Sequence, residues 1–282
     1  MAQCKVCSRQ CELGEGQTGF CGARININGE VTAKNYGKLT SLALDPIEKK
    51  PLNRFFPGSK ILSLGSYGCD LRCPFCQNSE ISWSDKALSC DGQLGYYSPE
   101  KILAAAKYHK KDGNIGAAFT YNEPLVGWEY VRDTGKLIHK AGMKNVLVTG
   151  GTAELWVLDE LSEYIDAMNI DLKSFSADTY KNVLKGDLDM VKAFISKAVM
   201  NCHVELTTLI VPGMNDSEGE MRQISSWIAE LCYKSQKDIP LHISRFFPRF
   251  KMTDRKATDI GLVYHLADIA REKLKYVYTG NC

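Results

Sequence analysis

From residue 60 onward the chain alternates short apolar runs with longer stretches of helical character. The runs fall at 60–65 (KILSLG), 115–121 (IGAAFTY), 144–150 (KNVLVTG), 167–173 (AMNIDLK), 203–212 (HVELTTLIVP) and 240–247 (PLHISRFF). Their length and continuous apolarity predict strands buried on both faces, as in a parallel sheet. Helices are predicted over 125–141, 153–164, 187–200, 216–234 and 254–274, with Ala141-Gly142 as a stop signal. Another opens at Ser98-Pro99-Glu100, where a cap, a first-turn proline and an acid stand together, and Gly113 lies just past its end. Repeated strand–helix alternation implies a parallel sheet with helices outside, either an open doubly wound sheet or a whole or partial barrel. The GxGxxG fingerprint of a dinucleotide fold is missing after the first run, where GSYGCD stands instead.

The N-terminal stretch breaks this rhythm. Residues 1–58 hold Cys4, Cys7, Cys11 and Cys21, several glycines and a hairpin signal, RININGEVTA, whose Asn28-Gly29 suits a two-residue turn. DPIEKKPLNRFFPGS (45–59), rich in proline and charge, reads as a connector. The expected organisation is a Cys-rich accessory segment, 1–58, followed by an α/β core, 59–282.

Composition narrows the function. Against 35 Lys and Arg stand 33 Asp and Glu, a formal charge of only +2. A balanced surface argues against a dedicated nucleic-acid or membrane-surface binder. No run approaches the roughly 20 apolar residues of a membrane span, and MAQCKVCSRQ lacks the apolar segment of a secretory signal. A cytoplasmic location follows as the expectation, and there the 11 cysteines read as metal ligands or reactive thiols rather than disulfides.

Polar residues gather where parallel α/β folds place their chemistry, at the carboxyl ends of the strands. Cys69, Cys73 and Cys76 follow the first run, Asn122 and Glu123 the second. Thr149 ends the third, Asp171 and Lys173 the fourth, and His242 and Arg245 lie on the sixth. A closed zinc site wants four protein ligands. Three thiolates can instead hold three corners of a [4Fe–4S] cluster and leave one iron open, the mark of a catalytic rather than a structural centre. The alternative is a zinc or redox knuckle completed from elsewhere. For Asp171 and Lys173 it is a structural ion pair, for His242 a satisfied buried imidazole, and for Thr149 and Arg245 local backbone satisfaction.

The C-x3-C-x2-C loop GCDLRCPFCQN (68–78), with Phe75 before its last cysteine, resembles the signature of the radical S-adenosylmethionine superfamily. Over nearly its whole length the chain resembles the radical enzyme of the AmmeMemoRadiSam system, a group similar to pyruvate formate-lyase activating enzymes. CKVCSRQCELGEGQTGFCGAR (4–24), DPIEKKPLNRFFPGS, CPFCQNSEIS (73–82), TYNEP (120–124) and HISRFFPRFKM (242–252) carry that likeness. The resemblance implies a partial (βα)6 barrel, a [4Fe–4S] cluster on Cys69, Cys73 and Cys76, and S-adenosylmethionine as cofactor. It further implies Glu123 as acceptor for the methionine ammonium, with Asn122 replacing a family glycine. Lys173 would meet the cofactor carboxylate, Asp171 would bind the ribose or orient Lys173, and His242 would lie near the ribose. Reductive cleavage to a 5′-deoxyadenosyl radical and hydrogen abstraction would follow, fed by an electron donor such as flavodoxin or ferredoxin.

The expected substrate is a protein or peptide group. Alternatives are a small-molecule metabolite or, in another class, a non-catalytic metal-binding or electron-transfer adaptor. The N-terminal segment would suit a lid for a small substrate. Its C-x2-C-x3-C-x9-C spacing suggests a structural zinc or a second cluster, because a metal can replace a core in a short segment; packed, reduced thiols are the alternative. Cys90, Cys202, Cys232 and Cys282 show no ligand spacing, and Cys202 and Cys232 read as core filler.

Overall fold

The computed structural model describes residues 1–89 and 91–282, so Cys90 lies outside the described residues. At the N-terminus β1 (Ala2–Gln3) pairs antiparallel with β2 (Glu12–Leu13), and β3 (Arg24–Ile27) with β4 (Glu30–Ala33). The turn of the second hairpin is Asn28-Gly29, at φ 55° and 83°. Two consecutive left-handed residues are what a primed two-residue turn requires.

The core is an eight-stranded sheet of β5 (Ser41–Pro46), β6 (Lys60–Gly65), β7 (Asn114–Thr120), β8 (Lys144–Thr149), β9 (Ala167–Asp171), β10 (His203–Ile210), β11 (Leu241–Arg245) and β12 (Val277–Gly280), in that spatial order. From β6 to β12 all pairings are parallel, and β5 runs antiparallel against β6. The helices are α1 (Ser79–Ser82) and α2 (Asp85–Ser89) after the cysteine loop, then α3 (Pro99–Tyr108), α4 (Trp128–Lys140), α5 (Leu155–Ser162), α6 (Leu188–Asn201), α7 (Glu218–Ser235) and α8 (Ile260–Arg271). This is a partial (βα)6 barrel with one strand added at each edge. Among the described residues β5 and β12 are not paired with each other, so the barrel stays open along one side.

Each helix forms for a local reason and docks through one stripe. Ser98 caps α3, its hydroxyl accepting from Lys101 N–H, and Pro99 follows at the first position. In α6, Leu188, Val191, Phe194, Ile195, Ala198 and Val199 are buried, a spacing of three and four that turns one face to the sheet. Burying each large side chain is worth about 2 kcal/mol. Among the described residues no helix is long and apolar enough to cross a membrane. Cys202 is buried and Cys232 half-buried against the core, while Cys282 is exposed.

The 45–59 stretch is more than a connector. Residues 41–46 form the edge strand β5, with Asp45 opposite Ile61. A 3-10 turn over Ile47–Lys49 follows, and Lys50 is 2% exposed. The Lys50 ammonium donates to Asp45 Oδ2 at 2.8 Å and lies 4.4 Å above the Tyr121 ring, whose hydroxyl donates to the same oxygen at 2.5 Å. Burial opposes ionisation of Asp45, but Lys50 and Tyr121 outweigh it and hold the carboxyl well below its usual range. These partners also hold Tyr121 at φ 74°, a left-handed conformation rare for a bulky residue. Because removing one member of a buried pair strands the other, Lys50→Ala is expected to cost about 3 kcal/mol. Replacing both charges with Asp45→Asn and Lys50→Met should recover more than half of that, read as urea-unfolding midpoints. Equal losses in the single and double variants would contradict the buried-pair account.

Candidate functional site

β6 ends at Gly65, and the chain runs directly into the three-cysteine loop. That loop has no regular structure, so its backbone groups find partners elsewhere. Cys69 N–H donates to Cys21 O at 3.1 Å, Arg72 N–H to Leu184 O at 2.8 Å, and Lys251 N–H to Pro74 O at 3.0 Å. The Arg72 guanidinium folds back on the carbonyls of Cys69 and Leu71, at 2.6 and 2.7 Å, and reaches Phe20 O. Gly68, at φ 97°, allows close approach: a Cβ there would sit 2.4 Å from Ala23 Cβ.

Cys69, Cys73 and Cys76 line a cavity of about 570 Å³ at the carboxyl ends of the strands. Phe75, Asn122, Glu123, Thr149, Asp171, Lys173 and His242 line the same cavity. Without a metal to stabilise a thiolate, burial pushes the Cys73 thiol up to about 12, and burial with Asp70 and Glu123 nearby raises Cys69. Such thiols become ligands only when a metal displaces the proton. Among the described residues no three His, Cys, Asp or Glu converge tightly enough to hold a single ion. Three soft thiols spread along one cavity wall fit a multi-iron group, whose ligated corners stand apart.

Glu123, 3% exposed, accepts from Thr149 Oγ1 at 2.6 Å, Gly150 N–H at 2.7 Å and Leu125 N–H at 3.1 Å. A carboxylate offers about four lone-pair positions, so one remains for a donor in the cavity. Burial, and then Asp70, push the Glu123 carboxyl above its usual range. Asp70 is itself buried, accepts from Thr152 Oγ1 at 2.8 Å, and is raised chiefly by burial. Of the two, Glu123 lines the cavity, and a cationic occupant there would offset the cost of ionising it. Lys173 Nζ donates to Asp171 Oδ2 at 2.7 Å. Burial alone would lower Lys173, but Asp171 outweighs it and holds the ammonium cationic.

Two candidates are engaged elsewhere. Asn122 spends its amide on the carbonyls of Tyr67, Gly68 and Glu123 and accepts from Ser66 N–H, so its side chain stitches the loop to β7. Arg245 donates to Thr258 O at 2.7 Å, a local role. Cys4, Cys7, Cys11 and Cys21 are not among the lining residues, whereas Glu48, Lys49, Pro51 and Asn53, late in the 1–58 segment, are. The earlier part of the segment packs instead against the chain leading into α5 and against α4. Cys7 bridges to Ala153, Glu154 N–H donates to Val6 O at 2.8 Å, and Arg24 pairs with Glu129 at 2.6 Å.

Sequence reading missed Glu205. It lies within β10, fully buried, and accepts from His242 Nε2 at 2.6 Å, His203 Nε2 at 2.9 Å, Arg54 N–H at 2.7 Å and Asn53 N–H at 3.0 Å. Asn169 donates to Pro51 O at 2.8 Å, so residues 51–54 are strapped across the barrel interior, and Pro51 and Asn53 line the cavity. The available signal was a charge inside an otherwise apolar run, HVELTTLIVP.

A model of the Radical SAM superfamily matches residues 64–223, more than half of the chain. The chain belongs to that superfamily. An uncharacterised protein of Methanocaldococcus jannaschii is 40% identical over 283 residues, covering 99% of this chain and 81% of its own. The pyruvate formate-lyase 1-activating enzyme of Escherichia coli K12 is 22% identical, over 62% of this chain and 70% of its own. Among solved structures, Streptococcus suis SuiB bound to S-adenosylmethionine aligns with a TM-score of 0.56 at 13% identity, covering 79% of this chain and 52% of its own. Membership implies a [4Fe–4S] cluster and S-adenosylmethionine, and the three thiols, the spare lone pair of Glu123 and the cationic Lys173 suit them.

Burial would raise the Glu205 carboxyl, but bonds from His203, His242 and Arg54 outweigh it and hold it from 4.5 down to about 2. A group depressed in the folded state stabilises above its unfolded value, here by about 3 kcal/mol. That contribution is lost as pH falls from 4.5 toward about 2. Glu205→Gln should therefore be less stable at neutral pH and show a shallower loss of stability across that acid window. Parallel melting-temperature curves for the two proteins would rule this out.

Proposed function

We propose that the protein reductively cleaves S-adenosylmethionine and abstracts a hydrogen atom from a protein or peptide. A [4Fe–4S] cluster on Cys69, Cys73 and Cys76 would supply the electron and the open iron at which the sulfonium is split to a 5′-deoxyadenosyl radical. The chain's own residues do the holding. Glu123 would receive the methionine ammonium, as a fixed carboxylate is the strongest acceptor for it. Lys173, kept cationic by Asp171, would receive the carboxylate. Electrons would come from a small donor such as flavodoxin or ferredoxin.

The observation carrying this reading is the meeting of three thiols, an anionic acceptor and a paired lysine on one cavity. A macromolecular substrate is favoured because the sheet is open between β5 and β12, and residues beside both edges, Glu48 and Lys49 on one and Thr279 to Asn281 on the other, line the cavity. An extended chain can enter along such a gap. The likeness to an activating enzyme agrees.

Anaerobically reconstituted protein with dithionite and S-adenosylmethionine is expected to form 5′-deoxyadenosine, and Cys73→Ala none above background. Lys173→Ala should weaken S-adenosylmethionine binding roughly 10–100-fold, the worth of a charge-assisted hydrogen bond. Deuterium arriving in 5′-deoxyadenosine from labelled peptide supports the substrate class. Arrival from labelled metabolite extract alone moves the assignment to a small molecule, and no turnover leaves an adaptor.

A further inference from the structure

Glu205 poses a question that cofactor binding does not answer. A carboxylate in the interior of a parallel strand is costly unless every lone pair is used, and this one has four donors from three elements. His203, two residues earlier on β10, lies on the same face by the two-residue period of a strand. His242 comes from the neighbouring β11, where it pairs in register with Thr207. Backbone N–H groups of the 51–54 strap complete the set.

The arrangement fixes the hydrogen on His242. An ionised carboxylate only accepts, so Nε2 must carry the proton it donates at 2.6 Å. The ring cannot swing away, being 7% exposed and stacked on Tyr278 with centroids 5.2 Å apart. A neutral imidazole protonated at Nε2 has a lone pair on Nδ1. His242 lines the cavity with Thr207 and Ser244, and Nδ1 is the ring nitrogen that Glu205 does not engage. The titratable groups touching the imidazole are Glu205 and Tyr278, with His203 on the far oxygen of the shared carboxylate.

We infer that Glu205 is a positioning residue: it locks His242 in the Nε2-protonated tautomer, so that Nδ1 serves as the acceptor at this end of the cavity, and it ties that acceptor to the 51–54 strap. Glu205 acts through the imidazole, by the same logic as the carboxylates that orient ligand histidines in metal sites. When a donor in the cavity passes its proton to Nδ1, the donor keeps the bonding pair and the resulting imidazolium is balanced by Glu205, which stays ionised. A small barrel lacking this carboxylate would hold a neutral histidine free to exchange tautomers and rotate. The strap contact adds a consequence: the acceptor and the cavity wall built by Pro51 and Asn53 move as one unit.

The tautomer is independent of cluster or turnover and is read first. Full-length protein labelled with 15N-histidine gives two-bond 1H–15N spectra, with His242→Gln assigning the resonance. A protonated Nε2 and an unprotonated Nδ1 are expected in the wild type, with tautomer averaging in Glu205→Gln. Nδ1 protonation, or averaging already in the wild type, overturns the inference. In reconstituted enzyme, Glu205→Gln and His242→Gln should each slow 5′-deoxyadenosine formation about tenfold, with the double variant no slower than either. Multiplying effects, or full turnover in Glu205→Gln, would reduce Glu205 to a structural ion pair. Should Glu205→Gln fail to fold, Glu205→Asp, with a retracted carboxylate, serves in both measurements. The second measurement rests on the radical reading, the first does not, so a wild type without turnover would count against that reading and leave the tautomer result standing.

Discussion

Three thiols must be held at fixed positions by a loop that makes almost none of its own hydrogen bonds, and most of the architecture around the cavity answers to that constraint. A free loop of this length would sample many conformations, at about 1–2 kcal/mol of backbone entropy per residue ordered. Here the order is imposed from outside. Cys21 O takes the Cys69 N–H, Leu184 O the Arg72 N–H and Pro74 O the Lys251 N–H, three clamps from three distant parts of the chain. Arg72 adds an internal clamp, its guanidinium closing on Cys69 O and Leu71 O. Asn122 closes the remaining side through Tyr67 O and Gly68 O. Asn122, although it lines the cavity, thus spends its side-chain amide on the loop.

A second regularity follows from the cavity's polarity. Most carboxylates in or just behind its wall have several donors at short range: Asp171 has Lys173, Asp45 has Lys50 and Tyr121, and Glu205 has two imidazoles and two backbone amides. Glu123 is the exception: its hydrogen-bond partners among the described residues are one hydroxyl and two backbone N–H groups, so a charge on it has no cationic side chain bonded to it. That imbalance sits beside the cysteine loop. A cationic occupant would relieve it.

The strand–helix rhythm was legible because buried parallel strands are largely apolar and α3, α6, α7 and α8 carry side-chain caps. Ser98 and the Asn28-Gly29 turn behave as their local chemistry dictates. The strand ends were legible too, since a lysine and an aspartate inside NIDLKSF have no packing rationale. β5 and β12 were not: both are edge strands, short and mixed in polarity, and β12 has only four residues. The 45–59 stretch looked like a linker because proline and charge signal exposure. Its burial depends on partners such as Tyr121 and Glu205, 71 and 151 residues from Lys50 and Arg54. Long-range pairing of this kind leaves no periodic trace in one sequence. Glu205 was hard to read for the same reason, since apart from His203 its partners lie on β11 and on the 51–54 strap.

The N-terminal segment shows how far this borrowing extends. It has two short hairpins and too few apolar residues to bury a core of its own. Leu13 and Val6 join the main core, and Cys21 and Ala23 pack against Val126 beside α4. Burial pushes the Cys7 thiol up beyond its ordinary range, and Asp70 of the cysteine loop adds to that push. Arg9 closes the contact, its guanidinium donating to Asp70 O at 3.2 Å while stacking on Phe20. Phe20 also receives Arg72 from the cysteine loop. An aromatic ring held between two arginines, one from each segment, couples the position of the cysteines at the front to the packing of the cysteines behind.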